Sequence, residues 1–445
     1  LLYSLLPVGV FNDVIAPLLL VCSSLLLLCY LRIMGRSWSA SAFGSIVGFW
    51  LGSSTLSAAG HYGKLGAALY FVASLVLIEQ TIRSQGIRRI CWAVLSGAAV
   101  GFMLLSQQDI GMFFGLVLAP YAVFRLVQTA GRRPLAWISL LGPVAVVGII
   151  LSMGTALTAY EKNISKASAV QQESEDKWDF ITQWSFPPQE FAELLAPGFM
   201  GWKTGDPSGP YWGVNGQSKG WQETGQGFRN FRLDSVYFGV VPFLFALAAI
   251  WGAFTHWRGS STAGVVFFWA VMALVCFVLA CGKFTPVYKL FVQLPLYGDI
   301  RVPTKFLHNL VVIMGILSAH GLDAVLGHEK GRRQGYILAA VLGGGFLASA
   351  LVLGLGRAVW EQKFSEWGEM APVIVQRMLS GSWYAVISVG LLVVLLKTMS
   401  KLTSKTALVG FFLCLLPVFD SLYVTKNYFA AENVAALKKG NAVIN

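Results

Sequence analysis

Asp299, Arg301, Lys305 and His308 fall within ten residues, in a stretch from Leu294-Pro295 through Tyr297-Gly298 and Val302-Pro303-Thr304 that leads into a long apolar run. Lys305 and His308 are three apart and share one face if a helix has begun by Thr304, while Pro303 sets the backbone after Arg301. Arg and Lys beside a helix start make a site for an anion such as phosphate. The alternative is an Asp299–Arg301 ion pair, with Lys305 reaching toward lipid headgroups.

Three other polar stretches stand at the ends of apolar runs, where charge is costly and needs a partner, a cavity or a function. Asn12 and Asp13 precede the first run; Asp13 could serve as a general base or metal ligand, or the pair could simply cap a helix. His61, Tyr62 and Lys64 form a short loop in which Lys64 can hold a phosphate and His61 can move protons or bond an anion, unless the loop is an ordinary hydrated turn. Gln107, Gln108 and Asp109 join two runs. There the amides could orient sugar hydroxyls and Asp109 accept a proton, though a plain polar turn has the same composition.

Aromatic, Pro and Gly residues dominate a different region. Trp184 opens a stretch through Pro187-Pro188 to Pro197-Gly198 and Trp202; Gly209-Pro210-Tyr211-Trp212-Gly213 follows, then Trp221 to Phe231. Trp184, Tyr211 and Trp212 are candidates for stacking on a sugar or acceptor, and the alternative is a lid at the membrane surface. Glu161 to Lys177 is polar and predicts a solvated helix or loop. Trp360 to Met378 places Phe364, Trp367, Ala371, Val375 and Met378 at helical spacing, which predicts an in-plane amphipathic helix bent near Pro372.

The elements that must position these residues are membrane spans. The chain is 56% hydrophobic and only 12% charged, with a mean hydropathy of +0.65, outside the range of soluble globular domains. Twelve spans are predicted, with edges good to a few residues: 12–31, 38–57, 65–82, 90–106, 111–128, 136–158, 236–254, 263–281, 305–327, 335–355, 382–398 and 406–424. They fall into a six-span block at 1–158, an extracytoplasmic segment at 159–235, and a six-span block at 236–445. The fold class is an all-α polytopic membrane protein with an outer loop segment and an interfacial helix near 360–378.

Alternate loops carry the cations: Arg32 and Arg36; Arg83, Arg88 and Arg89; Arg125, Arg132 and Arg133; Arg258; Lys330, Arg332 and Arg333; Lys397, Lys401 and Lys405. Against these stands one acid, Glu329. This asymmetry makes that side cytoplasmic and places the long loops outside. It also accounts for the net charge of +12 without a nucleic-acid partner. The first span then runs inward, which predicts at least one span upstream of Leu1, or a removed signal peptide. The six cysteines show no metal spacing, and no Walker A, GxSxG, HExxH or EF-hand pattern occurs.

Ser185 to Gly201, Tyr237 to Pro242, the run from Leu294 through Phe306, Gly321-Leu322-Asp323 and Gly60-His61-Tyr62-Gly63-Lys64 together resemble the bacterial YfhO-like membrane proteins of the glycosyltransferase C (GT-C) superfamily. The resemblance spans most of the chain through loose patterns of Pro, Gly and aromatics. It implies a GT-C-like enzyme of the bacterial inner membrane that takes a sugar from a polyprenyl-phosphate donor and passes it to an extracytoplasmic acceptor. Arg301 and Lys305 would hold the donor phosphate, joined by His308, Lys64 and His61. Members of the superfamily usually carry the catalytic carboxylate in the first outer loop; here it lies upstream of Leu1, or Asp13 or Asp109 takes its place.

The resemblance therefore implies a membrane glycosyltransferase whose partners are membrane lipids and a polyprenyl-phosphate-linked sugar. No cofactor is assigned, and a divalent metal stays open with no ligand spacing to carry it. The alternative is a non-catalytic subunit that scaffolds partner proteins of a membrane complex and binds structural lipid. A transporter would need charged or broken helices near mid-membrane. The sequence shows few such charges, with Glu79 near an inner end.

Overall fold

The computed structural model describes residues 8–52, 61–131, 134–160, 174–232, 235–255, 257–294, 297–298, 300–401 and 406–428. Each predicted apolar run contains a helix, as it must where no water can satisfy exposed backbone. The first block holds α1 (Val8–Ile33), α2 (Trp38–Trp50), α3 (Tyr62–Arg83), α4 (Gly86–Ser106), α5 (Gln108–Ala130) and α6 (Pro134–Tyr160). The outer segment adds the short α7 (Ser174–Thr182) and α8 (Trp221–Thr224). The second block continues with α9 (Val240–Phe254), α10 (Ser261–Ala280), α11 (Val287–Phe291), α12 (Phe306–Gly327), α13 (Glu329–Leu355), α14 (Arg357–Lys363), α15 (Ala371–Lys401) and α16 (Thr406–Thr425). Among the described residues there is no strand, and ten helices are long and apolar enough to cross a membrane. Helices α2 and α9 are shorter, at 13 and 15 residues.

Helix α12 is apolar on nearly every face and therefore has no side to turn toward water. It occupies the centre, packed against α2, α9 and α10, and 83% of its apolar window is buried. Small residues allow this. A Cβ added at Gly315 would stand 2.4 Å from the Gly44 carbonyl of α2, and one at Gly321 would stand 1.6 Å from the Phe245 carbonyl of α9. Backbones thus approach directly, the packing mode that serves where burial against lipid supplies no drive. Helices α6 and α13, by contrast, turn most of their surface outward.

The basic loops gather at one end of the bundle. Arg83 donates to the Ile33 carbonyl at 2.8 Å, Arg36 faces Asp323 at 3.7 Å, and the Ser37 amide and hydroxyl both donate to that carboxylate. Deeper on the same side, Glu79 accepts two bonds from Arg125, at 2.5 and 2.8 Å, and one from Tyr121, whose hydroxyl accepts from Tyr30. A second buried carboxylate, Asp420 of α16, accepts from Tyr384 at 2.7 Å and Tyr237 at 3.0 Å. The Glu79 carboxylate is paired with a guanidinium, which is how charge persists at membrane depth, whereas Asp420 is held by two hydroxyls.

Residues 174–232 cover the opposite end. This stretch is irregular, yet its backbone is tied to the bundle: the Phe186 amide donates to Ala280, and the amides of Val302 and Thr304 donate to Ile181 and Trp184. Residues 161–173 of the predicted polar stretch lie outside the described residues; α7 begins at Ser174.

The in-plane helix expected over Trp360 to Met378 takes a different form. Helix α14 ends at Lys363, a 3-10 stretch follows over Ser365–Met370, and the chain breaks at Gly368, with φ 54° and ψ −127°. Ala371 then opens α15, which continues as the span expected at 382–398. The break belongs to glycine, which alone adopts that conformation readily. Pro372 instead sits in the first turn of α15, where its missing N–H has no partner to lose.

Candidate functional site

Helices α4 and α5 are separated only by Gln107, which is extended at φ −159° and ψ 111°. So tight a reversal needs Gly111, where a Cβ would meet the Met103 carbonyl at 2.6 Å. The reversal places Asp109 in the first turn of α5, at the positive end of the helix dipole. One of its carboxylate oxygens accepts from the Ile110 amide at 2.8 Å, and the Gln107 side chain bonds to the same group.

Lys305 reaches this carboxylate from 196 positions away in the chain and forms an ion pair with it. Its position depends on the turn before it. Val302 has φ 73°, the one positive φ outside glycine among the described residues, and a β-branched side chain makes that conformation costly. The turn is held because the Val302 and Thr304 amides are bound by the outer segment. Below the pair, Asn309 donates to the Phe113 carbonyl at 2.7 Å and Phe306 packs on Phe113, locking α12 to α5.

The His61–Lys64 loop completes the group. A Cβ at Gly63 would stand 2.6 Å from the Ser106 carbonyl and 3.2 Å from Gln107 Oε1, so the loop lies directly on the α4–α5 reversal. Buried His308 sits one turn into α12, within the field of Lys64, Lys305, Asp109 and His61. Three of the four sequence-nominated stretches therefore meet at one point. The Lys305 and Asp109 side chains stay 16% and 30% exposed, so a ligand can reach the pair. Cations beside a carboxylate can bind an anionic group and remove a proton next to it.

Other candidates are placed elsewhere. Asp299, and the side chain of Asp13, lie outside the described residues. Arg301 is exposed and stacks on the ring of Phe180 at 5.3 Å, so it and Lys305 have different partners. Gln108 opens α5 beside Gln107. Trp184 contributes its carbonyl to the Thr304 amide, and its ring meets Phe231 edge-on. Tyr211 is buried, with its hydroxyl bonded to both Glu190 oxygens at 2.8 Å. Trp212 donates to the Phe199 carbonyl and packs on Phe364. The two aromatics of the Gly209–Gly213 stretch are thus used in packing.

Sequence reasoning missed the group around Tyr211. Arg232, one residue beyond the noted Trp221–Phe231 stretch, stacks on the Tyr211 ring at 4.2 Å, faces Glu193 at 3.4 Å, and donates to the carbonyls of Gly201 and Trp202. Glu193 accepts from the Met200 amide at 2.7 Å, and Glu190 from the Val214 amide at 2.9 Å. The available signal was Glu190-x-x-Glu193, two carboxylates three apart in an otherwise apolar, proline-bearing run.

Burial pushes the Glu193 carboxyl up from the ordinary 4.5 to about 7, with Arg232 opposing. The folded protein then holds this proton between those values while an unfolded chain releases it. Its stabilising effect is complete below pH 4.5 and is lost as pH rises through about 7. The midpoint of thermal unfolding in detergent is expected to fall from pH 5 to pH 8, and Glu193→Gln should flatten that slope.

Among the described residues, no group of three or more His, Cys, Asp and Glu side chains comes together to hold a metal ion. Fold and site define a polytopic α-helical membrane protein with a charged, solvent-reachable cluster at one end of its bundle. No protein-family model, curated protein or solved structure matches the chain.

Proposed function

We propose that this protein is a membrane glycosyltransferase that moves a sugar from a polyprenyl-phosphate donor to an extracytoplasmic acceptor. On this reading it sits in a bacterial inner membrane, with the basic end of the bundle in the cytoplasm and the outer segment outside. The observation that carries the reading is the Lys305–Asp109 pair beside His308, on which Lys64 and His61 also act, at the end opposite the basic loops.

The acceptor hydroxyl oxygen attacks the anomeric carbon of the sugar and the bond from that carbon to the phosphate oxygen breaks. The polyprenyl phosphate leaves with the electron pair, and Asp109 takes the hydroxyl proton. Lys305 and Lys64 face the negative charge that develops on the leaving phosphate. In the structure Lys305 is bound to Asp109. A donor phosphate competes for that ammonium, and as it binds it releases the carboxylate to act as base.

The test is binding and transfer in proteoliposomes containing polyprenyl phosphohexose. Lys305→Ala and Lys64→Ala should each weaken retention of the donor by about tenfold or more, the scale of one charge-assisted hydrogen bond. Donor retention and transfer unchanged in both variants would discard the reading in favour of a scaffold subunit.

A further inference from the structure

Arg301 leaves the Asp109 cluster for a second cationic surface, and we infer that this surface binds the phosphate headgroups of anionic membrane lipids. It is formed where α7 meets the loops between α10 and α12. Lys283 lies in the field of Asp179, Lys289 is 5.9 Å from the ring of Trp178, and Arg301 is 5.3 Å from the ring of Phe180. The Val302 amide, bonded to the Ile181 carbonyl, fixes Arg301 against this helix.

The connection between α10 and α12 thus brings three exposed cations to one short helix. Asp179 of that helix acts on Lys283 and pairs with Lys219 at 2.7 Å. Among the described residues, Lys283, Lys289 and Arg301 make no ion pair.

Apolar side chains lie among the charges. Val287 and Leu290 of α11 are 44% and 67% exposed, and Phe284 and Leu294 flank them. This short helix follows the end of α10 and precedes the start of α12, so it stands where spans leave the apolar layer. Exposed leucine and valine beside lysine suit the boundary between acyl chains and headgroups, and neither water alone nor hydrocarbon alone accommodates both.

Charge complementarity selects the occupant. The basic loops that orient the protein lie at the other end of the bundle, so topology does not call for cations here. An anionic lipid fits both halves of the surface, its phosphate against the cations and its chains along α11. Because the Asp109 cluster shares none of these side chains, the inference goes beyond the transfer chemistry and does not depend on it.

The experiment is native mass spectrometry of the purified full chain, titrated with phosphatidylglycerol or with phosphatidylcholine. Wild-type protein should retain phosphatidylglycerol more strongly. Lys283→Gln/Lys289→Gln/Arg301→Gln should reduce that affinity on the order of a hundredfold, to the phosphatidylcholine level, as expected for three cations near an anionic headgroup layer. The charge-keeping variant Lys283→Arg/Lys289→Arg/Arg301→Lys should retain it, and Val287→Ser/Leu290→Ser should weaken both lipids. Unchanged phosphatidylglycerol affinity in the Gln variant, with the same monodisperse elution as wild type, would overturn the inference. So would equal losses for the two lipids in that variant, or displacement of phosphatidylglycerol by an equal concentration of inorganic phosphate.

Discussion

Asp109→Asn is expected to lower the rate of sugar transfer by about a thousandfold while leaving donor retention intact, because a positioned general base contributes about that much. Asparagine preserves the size of the side chain and its oxygen can still accept from the Ile110 amide, which Asp109 does at 2.8 Å. It cannot take the acceptor proton. Lys305, relieved of its carboxylate partner, should hold the donor phosphate at least as well. The measurement is single-turnover transfer in proteoliposomes alongside equilibrium donor binding. Transfer at the wild-type rate in Asp109→Asn would move the base elsewhere, with Asp13 next to be substituted. Equal losses of binding and transfer would instead make Asp109 a structural partner of Lys305.

The second large effect belongs to the outer segment. Arg232→Leu removes the cation from a site where Arg232 and Glu193 are only 2% and 1% exposed. At pH 8, above the value near 7 at which Glu193 ionises, the cost should be about 3–5 kcal/mol, since an unpaired buried charge is worse than either a complete pair or none. Two further losses accompany it: the carbonyls of Gly201 and Trp202 lose their donor, and the Tyr211 ring loses its stacked guanidinium. The midpoint of thermal unfolding in detergent should drop, and protease should cut between residues 190 and 232 before it cuts the bundle. Arg232→Leu/Glu193→Gln should recover part of the loss, because the carboxylate no longer needs neutralising. A double variant as unstable as the single one would show that the arginine acts through its carbonyl contacts rather than through Glu193.

Much of the bundle was legible because a bilayer narrows the choices. A long apolar run with charged ends has one local solution, a helix, and its ends are where polar chemistry can reside. Hence the reversal at Gln107–Asp109, the His61–Lys64 loop and the start of α12 were nominated individually, and each nomination fell at a helix end. The break near residue 370 was less legible. Proline and glycine both end helices, and the choice between Pro372 and Gly368 depends on which backbone angles the surrounding packing imposes.

What the amino-acid sequence determined by itself was a set of apolar helices, ten of which among the described residues are long enough to cross a membrane, the cations between them, and the kinds of side chain available at their ends. Only the tertiary structure decided the pairings: Asp109 with Lys305, Glu193 with Arg232, and Asp420 with Tyr237 and Tyr384. It also separated Arg301 from Lys305, two cations close in the chain, through a turn at Val302 that gives them different neighbours. The reason is physical. Hydropathy acts on each segment locally, whereas a side-chain pair depends on where two helices cross, and that crossing is set by contacts such as Gly315 on Gly44 and Gly321 on Phe245, whose significance appears only once the backbones meet.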